Sequence, residues 1–484
     1  MTEQYTNLIG GRWVDAASGE HFDRPNPADE SEIIGSFPNM DNADVEAAVQ
    51  HAVDAAGPWR DAGVLERGRV LLEAASLIRE RLDQLAADLS REMGKTLAEA
   101  RGEVASAAAF FEYNGGLARH PTGDLLADKR PGVHGWAQRE PVGVVCLITP
   151  WNDPAATPAR KLGPALLCGN TVVLKPAPET PLAARHLIEA LADAGAPAGT
   201  INLVTGDNER VGPPLVANRA IKAISFTGST AVGRYLEQQL AGTGTRLQTE
   251  MGGKNAVLVL ADADLDEATN AIIGAAFGQT GQRCTATSRV VAHRAIANDL
   301  RQRLATRISQ LTIGAGTTEG TDVGPMVSRR QRERVTTAVA GAAADGATIV
   351  CGGGRPTAEH LDRGYYLEPT LVTDVSPDAA VWQEEIFGPV IALMSVDSYE
   401  QGIQAVNDSA YGLSASVFTS SLAHAHRFVD EVETGQASVN LPTTGWDVHV
   451  PFGGFKDSGS PFKEHGIGGL HFYSRIKSVM MKHA

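Results

Sequence analysis

The chain predicts an α/β fold made of two doubly wound units, with a few extended segments outside both. Three observations carry that reading. From residue 140 onward, short β-branched runs alternate with amphipathic stretches, the pattern of parallel strands joined by crossover helices. The alternation continues through "KNAVLVLADADLDEATNAIIGAAF" into a second α/β unit. The length of 484 residues exceeds a typical single core, so two or three domains are expected.

Taken in order, residues from about 41 to 110 read as helical. "NADVEAAVQHAVDAA" opens on an asparagine cap signal and repeats apolar residues at helical spacing. "ERGRVLLEAASLIRERLDQLAADLSREMGKTLAEA" continues in the same mode. "VGVVCLI" (142–148), bounded by Pro141 and Pro150, is a buried strand. "PARKLGPALLCGN" is a helix ending at Gly169, and "TVVLK" (171–175) the strand after it. "TPLAARHLIEALADAGAP" is an amphipathic helix stopped by Gly and Pro. "TINLVTG" (200–206) and "IKAISFTG" (221–228) are further strands, with "STAVGRYLEQQL" the helix after the second. In the second unit "SRVVAH" is a strand and "AIANDLRQRLATRI" a helix, while "ATIVCGG", "YYLEPTLVTDV", "VIALMSV" and "SASVFTS" supply more strands. The segment around 120–141 and the tail "GGLHFYSRIKSVMMKHA" fit neither unit and read as strands pairing elsewhere, as edge strands often do with another subunit.

Composition narrows the classes. Forty-two basic against 57 acidic residues give a formal charge of −15, which argues against nucleic acid or an anionic membrane as partner. Cysteines at 146, 168, 284 and 351 show no C-x-x-C spacing, so neither a metal site nor a dithiol motif is expected. So few cysteines read as reduced thiols of a cytoplasmic protein. "MTEQYTNLIGGRWV" lacks the basic and apolar regions of a signal peptide. The most apolar run, "VGVVCLIT", is far shorter than the roughly 20 residues of a membrane span.

Several short blocks carry chemistry. "SFTGSTAVG" ends a strand at Gly228 and opens a helix at Ser229, where free N–H groups and the helix dipole receive a pyrophosphate. Thr230 stands where the dinucleotide fingerprint has its middle glycine, so alone this block is also an ordinary strand–turn–helix. "QTEMGGKN" sets Glu250, a candidate base, before a Gly-Gly pair that lets backbone approach something closely. "ITPWNDPAATPARK" puts Asn152 in a loop at a strand's carboxyl end, where α/β sites lie. "GQTGQRCTATSR" holds Cys284 among small and polar residues, with Arg283 before it. Each has a bland alternative: a turn, a surface glutamate, a packed cysteine.

Together the blocks "PWN", "GPALLCGNTVVLKPAPETPL", "FTGSTAVG", "EMGGKN", "GQRC", "EEIFGPV" and "PFGGFKDSG" follow one another in the order of the aldehyde dehydrogenase superfamily, which the chain resembles from about residue 8 to 475. Glu250 and Cys284 also stand 34 residues apart, as in that family. The resemblance implies two Rossmann-like domains, a dinucleotide-binding one (1–120 and 142–252) and a catalytic one (253–467), plus oligomerisation strands (121–141 and 468–484). It implies a homodimer or homotetramer acting on a small aldehyde. Cys284 is then the nucleophile, and Asn152 with the Cys284 N–H holds the oxyanion. Glu250 activates water to release the acid, the residue that acylating relatives lack. Trp151, Lys175, Gly228, Ser229, Glu385 and Phe387 fall to the cofactor. Where NAD-preferring members carry a glutamate three residues after the lysine, this chain has Pro178, with Glu179 next and Arg210 as a candidate for a 2′-phosphate. NAD and NADP are both implied, with NAD favoured through Glu179.

The implied substrate tunnel, Asp153, Arg160, Arg283, Thr285 and Phe452 with Thr157, is polar. Arginine is the natural bidentate partner of a carboxylate. Arg160 occupies a carboxylate-binding position of succinate-semialdehyde dehydrogenases, and "GQRCTATSR" resembles α-ketoglutarate-semialdehyde dehydrogenases. A short aldehyde with a distal carboxylate is therefore expected; Arg160 in an ion pair with Asp153 is the structural alternative. Vanillin- and salicylaldehyde-type enzymes also carry arginine there. A cofactor-independent cysteine esterase and a retired binding protein are the competing classes. Cofactor reduction would exclude the first, and the joint presence of Cys284, Glu250, Asn152, Lys175 and Glu385 argues against the second.

Overall fold

The computed structural model describes residues 2–120 and 122–482. The strand Val144–Ile148 is apolar on both faces, as a parallel strand covered by helices on both sides must be. It is the centre of a five-stranded parallel sheet ordered Arg246–Glu250, Ile221–Thr227, Val144–Ile148, Thr171–Lys175, Ile201–Leu203. The chain first builds outward on one side of Val144–Ile148 and then returns to build on the other. That reversal opens a crevice beyond the carboxyl ends of the strands flanking it. Register brings those ends level: Ile148 pairs with Lys175 and with Phe226, and Thr227 with Glu250.

The helices Val64–Glu80, Leu97–Gly116, Ala156–Leu167 and Pro181–Asp193 share an apolar core with one face of this sheet. Asn42–Asp61 packs on the other face.

A second sheet of seven strands runs Thr348–Cys351, Thr370–Thr373, Val390–Val396, Arg289–His293, Ala256–Val259, Ser414–Phe418, Gln436–Val439. All neighbours are parallel except the edge pair Thr348–Cys351 and Thr370–Thr373. This sheet offers its amino ends to the crevice. Cys284 precedes Arg289–His293, Glu385 and Phe387 precede Val390–Val396, and residues 251–255 run from Glu250 straight into Ala256–Val259. One short link therefore sets the carboxyl edge of the first sheet against the amino edge of the second.

The extended segments do pair outside both sheets. Gly123–Leu126, Val133–Pro141 and Ser474–Lys482 form an antiparallel three-stranded sheet with Val133–Pro141 central. Of the residues expected in that extension, Pro121, His483 and Ala484 lie outside the described residues, as does Met1 of the first span. Among the described residues no helix is long and apolar enough to cross a membrane.

Local expectations are corrected at four places. Asp41, not Asn42, caps the first helix, in a capping box with Asp44. The long helical run divides into Val64–Glu80, Leu82–Met93 and Leu97–Gly116. Gly94 ends the second in the left-handed region (φ 97°), and Thr96 with Glu99 opens the third as a capping box. "YYLEPTLVTDV" yields only Thr370–Thr373, preceded by Pro369 and ended by Asp374 at φ 58°, and the tail opens with a short helix, Gly469–Phe472. Two hairpins the sequence did not announce, Asn7–Ile9 with Arg12–Val14 and His21–Asn26 with Asp29–Pro38, precede the first helix.

Candidate active site

Cys284 sits on a turn held open by unusual backbone. Gln279, Thr280 and Gly281 all lie in the left-handed region, at φ 51°, 59° and 67°. Non-glycine residues keep that conformation only where their surroundings enforce it. Here the Gln279 N–H donates to Glu99 Oε1 at 2.6 Å, Thr280 Oγ1 to the Gly324 carbonyl at 3.0 Å, and Val327 N–H to Gln282 Oε1 at 2.9 Å. A Cβ at Gly281 would strike the Gly388 carbonyl, so that position needs glycine for space as well as conformation. Past the turn, Asn255 Nδ2 donates to the carbonyls of Cys284 and Ala286, both at 2.8 Å. Among the described residues the Cys284 main-chain N–H has no acceptor. Burial pushes the half-buried thiol up to about 12; Arg160 opposes this, while Asp153, Glu385 and Glu250 add to it.

Asn152 is buried on the loop after Val144–Ile148, its Nδ2 donating to Asp153 Oδ2 at 3.2 Å. Asp153 also accepts from Gln279 Nε2 at 3.0 Å and Lys95 Nζ at 3.3 Å. Burial works against its charge, but Lys95 and Arg283 outweigh burial and hold the carboxyl below its ordinary value. The Asp153 of the expected tunnel wall thus has protein partners on several sides.

Glu250, the last residue of its strand, is buried, and neither carboxyl oxygen has a hydrogen-bond partner among the described residues. Burial raises it well above the ordinary carboxyl value. The charge of Glu464 adds to the rise, while Arg160, Lys161 and Lys463 pull the other way. Arg160 is paired with Glu464 at 2.7 Å, not with Asp153, and lies 5.1 Å over the Phe452 ring. Fully buried Lys161 shares the same Glu464 and donates to Ser225 Oγ at 2.7 Å. Arg283 is half-buried and, among the described residues, makes no ion pair or side-chain hydrogen bond. Thr285 is buried, and its carbonyl accepts from Thr443 Oγ1 at 2.7 Å.

On the crevice's other side, what the Gly-Gly pair approaches is Glu385. Gly253 N–H donates to Glu385 Oε1 at 3.0 Å, and a Cβ on Gly252 would overlap that carboxylate. Burial pushes Glu385 up to about 7. Phe387, itself at φ 60°, meets the Trp151 ring edge-on with centroids 5.2 Å apart. Lys175 is buried beside Asn208, and burial lowers its ammonium to about 8. Gly228 N–H donates to the Glu250 carbonyl at 3.0 Å, and the Ser229 side chain caps the helix Thr230–Leu240 through Val232 N–H. The two groups raised for the ribose and the 2′-phosphate have other partners: Glu179 accepts from Arg330 at 3.0 Å, and Arg210 is paired with Glu20.

Sequence reasoning missed Lys95, Glu103, Lys161 and Glu464, four buried charges around the crevice. For Glu103 a signal existed. It falls on the buried stripe of Ala100, Val104 and Ala107, where a charge has to be paired.

The crevice between two sheets, lined by a cysteine on a constrained turn, a buried carboxyl unpartnered among the described residues, and a buried lysine and a buried glutamate each suited to ribose hydroxyls, defines a cysteine-dependent dinucleotide enzyme. The comparisons narrow this further. Residues 13–479 match the aldehyde dehydrogenase family, and the chain belongs to it; its chemistry is the oxidation of aldehydes. It is 43% identical over 480 residues to an alpha-ketoglutarate semialdehyde dehydrogenase of Haloferax volcanii, covering 99% of each chain. Identity is 40% to the alpha-ketoglutaric semialdehyde dehydrogenase of Bacillus subtilis, over 100% of this chain and 99% of that one. Among solved structures, the betaine aldehyde dehydrogenase of Staphylococcus aureus in complex with NAD+ superposes with a TM-score of 0.96 at 32% identity, over 99% of this chain and 97% of that one.

Proposed function

We propose that the chain oxidises a short aldehyde bearing a distal carboxylate to the diacid with NAD+ or NADP+, through a thioester on Cys284 that water hydrolyses. The observation that carries the mechanism is Glu250, a buried carboxyl without a hydrogen-bond partner among the described residues, near a cysteine whose N–H is likewise without an acceptor there. Such groups persist in a fold when a reaction uses them.

Burial keeps the Cys284 sulfur protonated in the protein alone, so as it attacks the carbonyl carbon the S–H bond breaks and the proton passes to solvent water, leaving Glu250 for the later step. The carbonyl π electrons move to oxygen, where the Cys284 N–H and the Asn152 amide receive the charge. Each such donor contributes about 3–4 kcal/mol in comparable sites. What the cofactor supplies when bound is an acceptor for the hydride released as that oxyanion collapses to the thioester. Buried Lys175 and Glu385 suit two sets of ribose hydroxyls, the first turn of Thr230–Leu240 a pyrophosphate, and Trp151 with Phe387 a flat ring. The pairing of Arg210 with Glu20 favours NAD+ over NADP+. Glu250 then takes a proton from water, the hydroxide adds to the thioester carbon, and the sulfur leaves.

This hydrolytic ending separates the chain from the acylating methylmalonate-semialdehyde dehydrogenase of Arabidopsis thaliana, to which it is 35% identical. The substrate reading rests on Arg283, whose guanidinium makes no ion pair among the described residues, and on the two semialdehyde dehydrogenases above. Arg160, already shared with Glu464, contributes from the side. A homodimer or homotetramer formed through the three-stranded sheet belongs to the same reading.

Steady-state kinetics of Arg283→Leu and Arg160→Leu test the substrate class. A carboxylated semialdehyde should lose at least tenfold more kcat/KM than a neutral aldehyde of equal length in Arg283→Leu, since a charged hydrogen bond is worth about 1.5–3 kcal/mol. Equal losses in both variants would sink the carboxylate reading. Cys284→Ala should abolish cofactor reduction altogether.

A further inference from the structure

Lys95 follows Gly94 at the end of Leu82–Met93, and its side chain is wholly buried. An ammonium has three protons, and here each has an acceptor. They are the Glu103 carboxylate, the Asn152 main-chain carbonyl at 2.8 Å and Asp153 Oδ1 at 3.3 Å. The other Glu103 oxygen accepts from the N–H groups of Ala155 and Ala156 at 2.7 and 3.1 Å. Both ends of the segment 152–156 are thus fixed to the helix Leu97–Gly116. Glu99 lies one turn earlier on the same helix face and accepts the Gln279 N–H at 2.6 Å. One helical turn therefore holds the Asn152 segment through one carboxylate and the Cys284 turn through another. Asp153 closes the circuit by accepting from both Asn152 Nδ2 and Gln279 Nε2.

We propose that Lys95 and Glu103 are positioning residues that fix the Asn152 amide relative to the Cys284 N–H, so that both donors meet one oxyanion. This rests on the reading of Asn152 as an oxyanion donor. A buried ion pair is a poor stability device compared with apolar packing. What it does better is to fix one carbonyl and two N–H groups in direction, and it does so around the single segment that carries Asn152. A displacement of about 1 Å at such a donor costs on the order of a hundredfold in rate.

The test compares Lys95→Met/Glu103→Gln, which removes both charges together, with Asn152→Ala and with the triple variant. The paired variant should keep its KM for cofactor within about twofold and lose about 10–100-fold in kcat. Alkylation of Cys284 by iodoacetamide forms no oxyanion, so its rate should stay within about twofold. The triple variant should be no slower than Asn152→Ala, because nothing remains to be positioned. Losses that multiply in the triple variant, or alkylation falling along with kcat, overturn the inference. An unchanged kcat in Asn152→Ala instead overturns the oxyanion reading, and the inference with it. If the paired variant does not fold, Glu103→Gln alone, which keeps an acceptor oxygen, is put through the same cycle with Asn152→Ala and judged by the same outcomes.

Discussion

Glu250 links chemistry to stability at a single residue. Its folded carboxyl value lies well above the ordinary one near 4.5, so the folded state holds a proton that the unfolded state has already released. Stability therefore falls as pH rises from the unfolded value through the folded one, and the full penalty persists above that window. Glu250→Gln removes the penalty and should raise Tm at pH 8 by about 1–3 °C, a gain that narrows toward pH 5. The same variant should still reduce about one equivalent of cofactor per chain in a first turnover and then stall, with steady-state kcat down by about 10²–10⁴. Calorimetry and a stopped-flow burst read the two effects. Steady turnover at the parent rate would remove Glu250 from the hydrolytic step. Glu250, Cys284 and Asn152 were legible because each stands in a short block with recognisable neighbours. Lys161 and Glu464 were not, since their partnership spans about 300 positions of chain and only folding brings it together.

At the level of elements, the alternation of strand and helix was readable because buried parallel strands have to be apolar on both faces. The placement of Lys175, Ile148, Thr227 and Glu250 on one edge follows from that alternation together with the reversal of strand order. The Cys284 turn was not readable. Two of its three left-handed residues are glutamine and threonine, held by partners far away in sequence, where a local rule expects glycine. The Gly-Gly pair lies between these cases: close approach was expected, but its object, Glu385, lies more than a hundred residues on. A methyl group on Gly252 would displace that carboxylate. Gly252→Ala should therefore raise the KM for cofactor about 10–100-fold, the worth of a charged hydrogen bond, with a much smaller effect on the KM for aldehyde. Initial rates over a grid of both substrates separate the two, and an unchanged cofactor KM would detach Glu385 from the ribose.

For the whole molecule, the three-stranded sheet is the part that neither core explains. Cross-strand register puts Leu126, Met480 and Ile476 on one face and Leu125, Val479 and Met481 on the other. Leu125 is 93% exposed and Ile476 63%, on opposite faces. Ser474–Lys482 and Gly123–Leu126 are both edge strands. Apolar side chains on a small sheet with two open edges are a liability for a monomer and an asset for an interface. A second copy of the chain is the simplest partner, since a symmetric contact uses the same patch twice. Leu125→Asp/Ile476→Asp should accordingly lower the particle mass measured by light scattering at micromolar concentration, toward a single chain of 51.0 kDa if both faces are interfacial. Far-UV circular dichroism should stay unchanged, because neither side chain packs in a core. A parent protein that already runs as a monomer, or a variant with the parent's mass, would remove this sheet from the assembly.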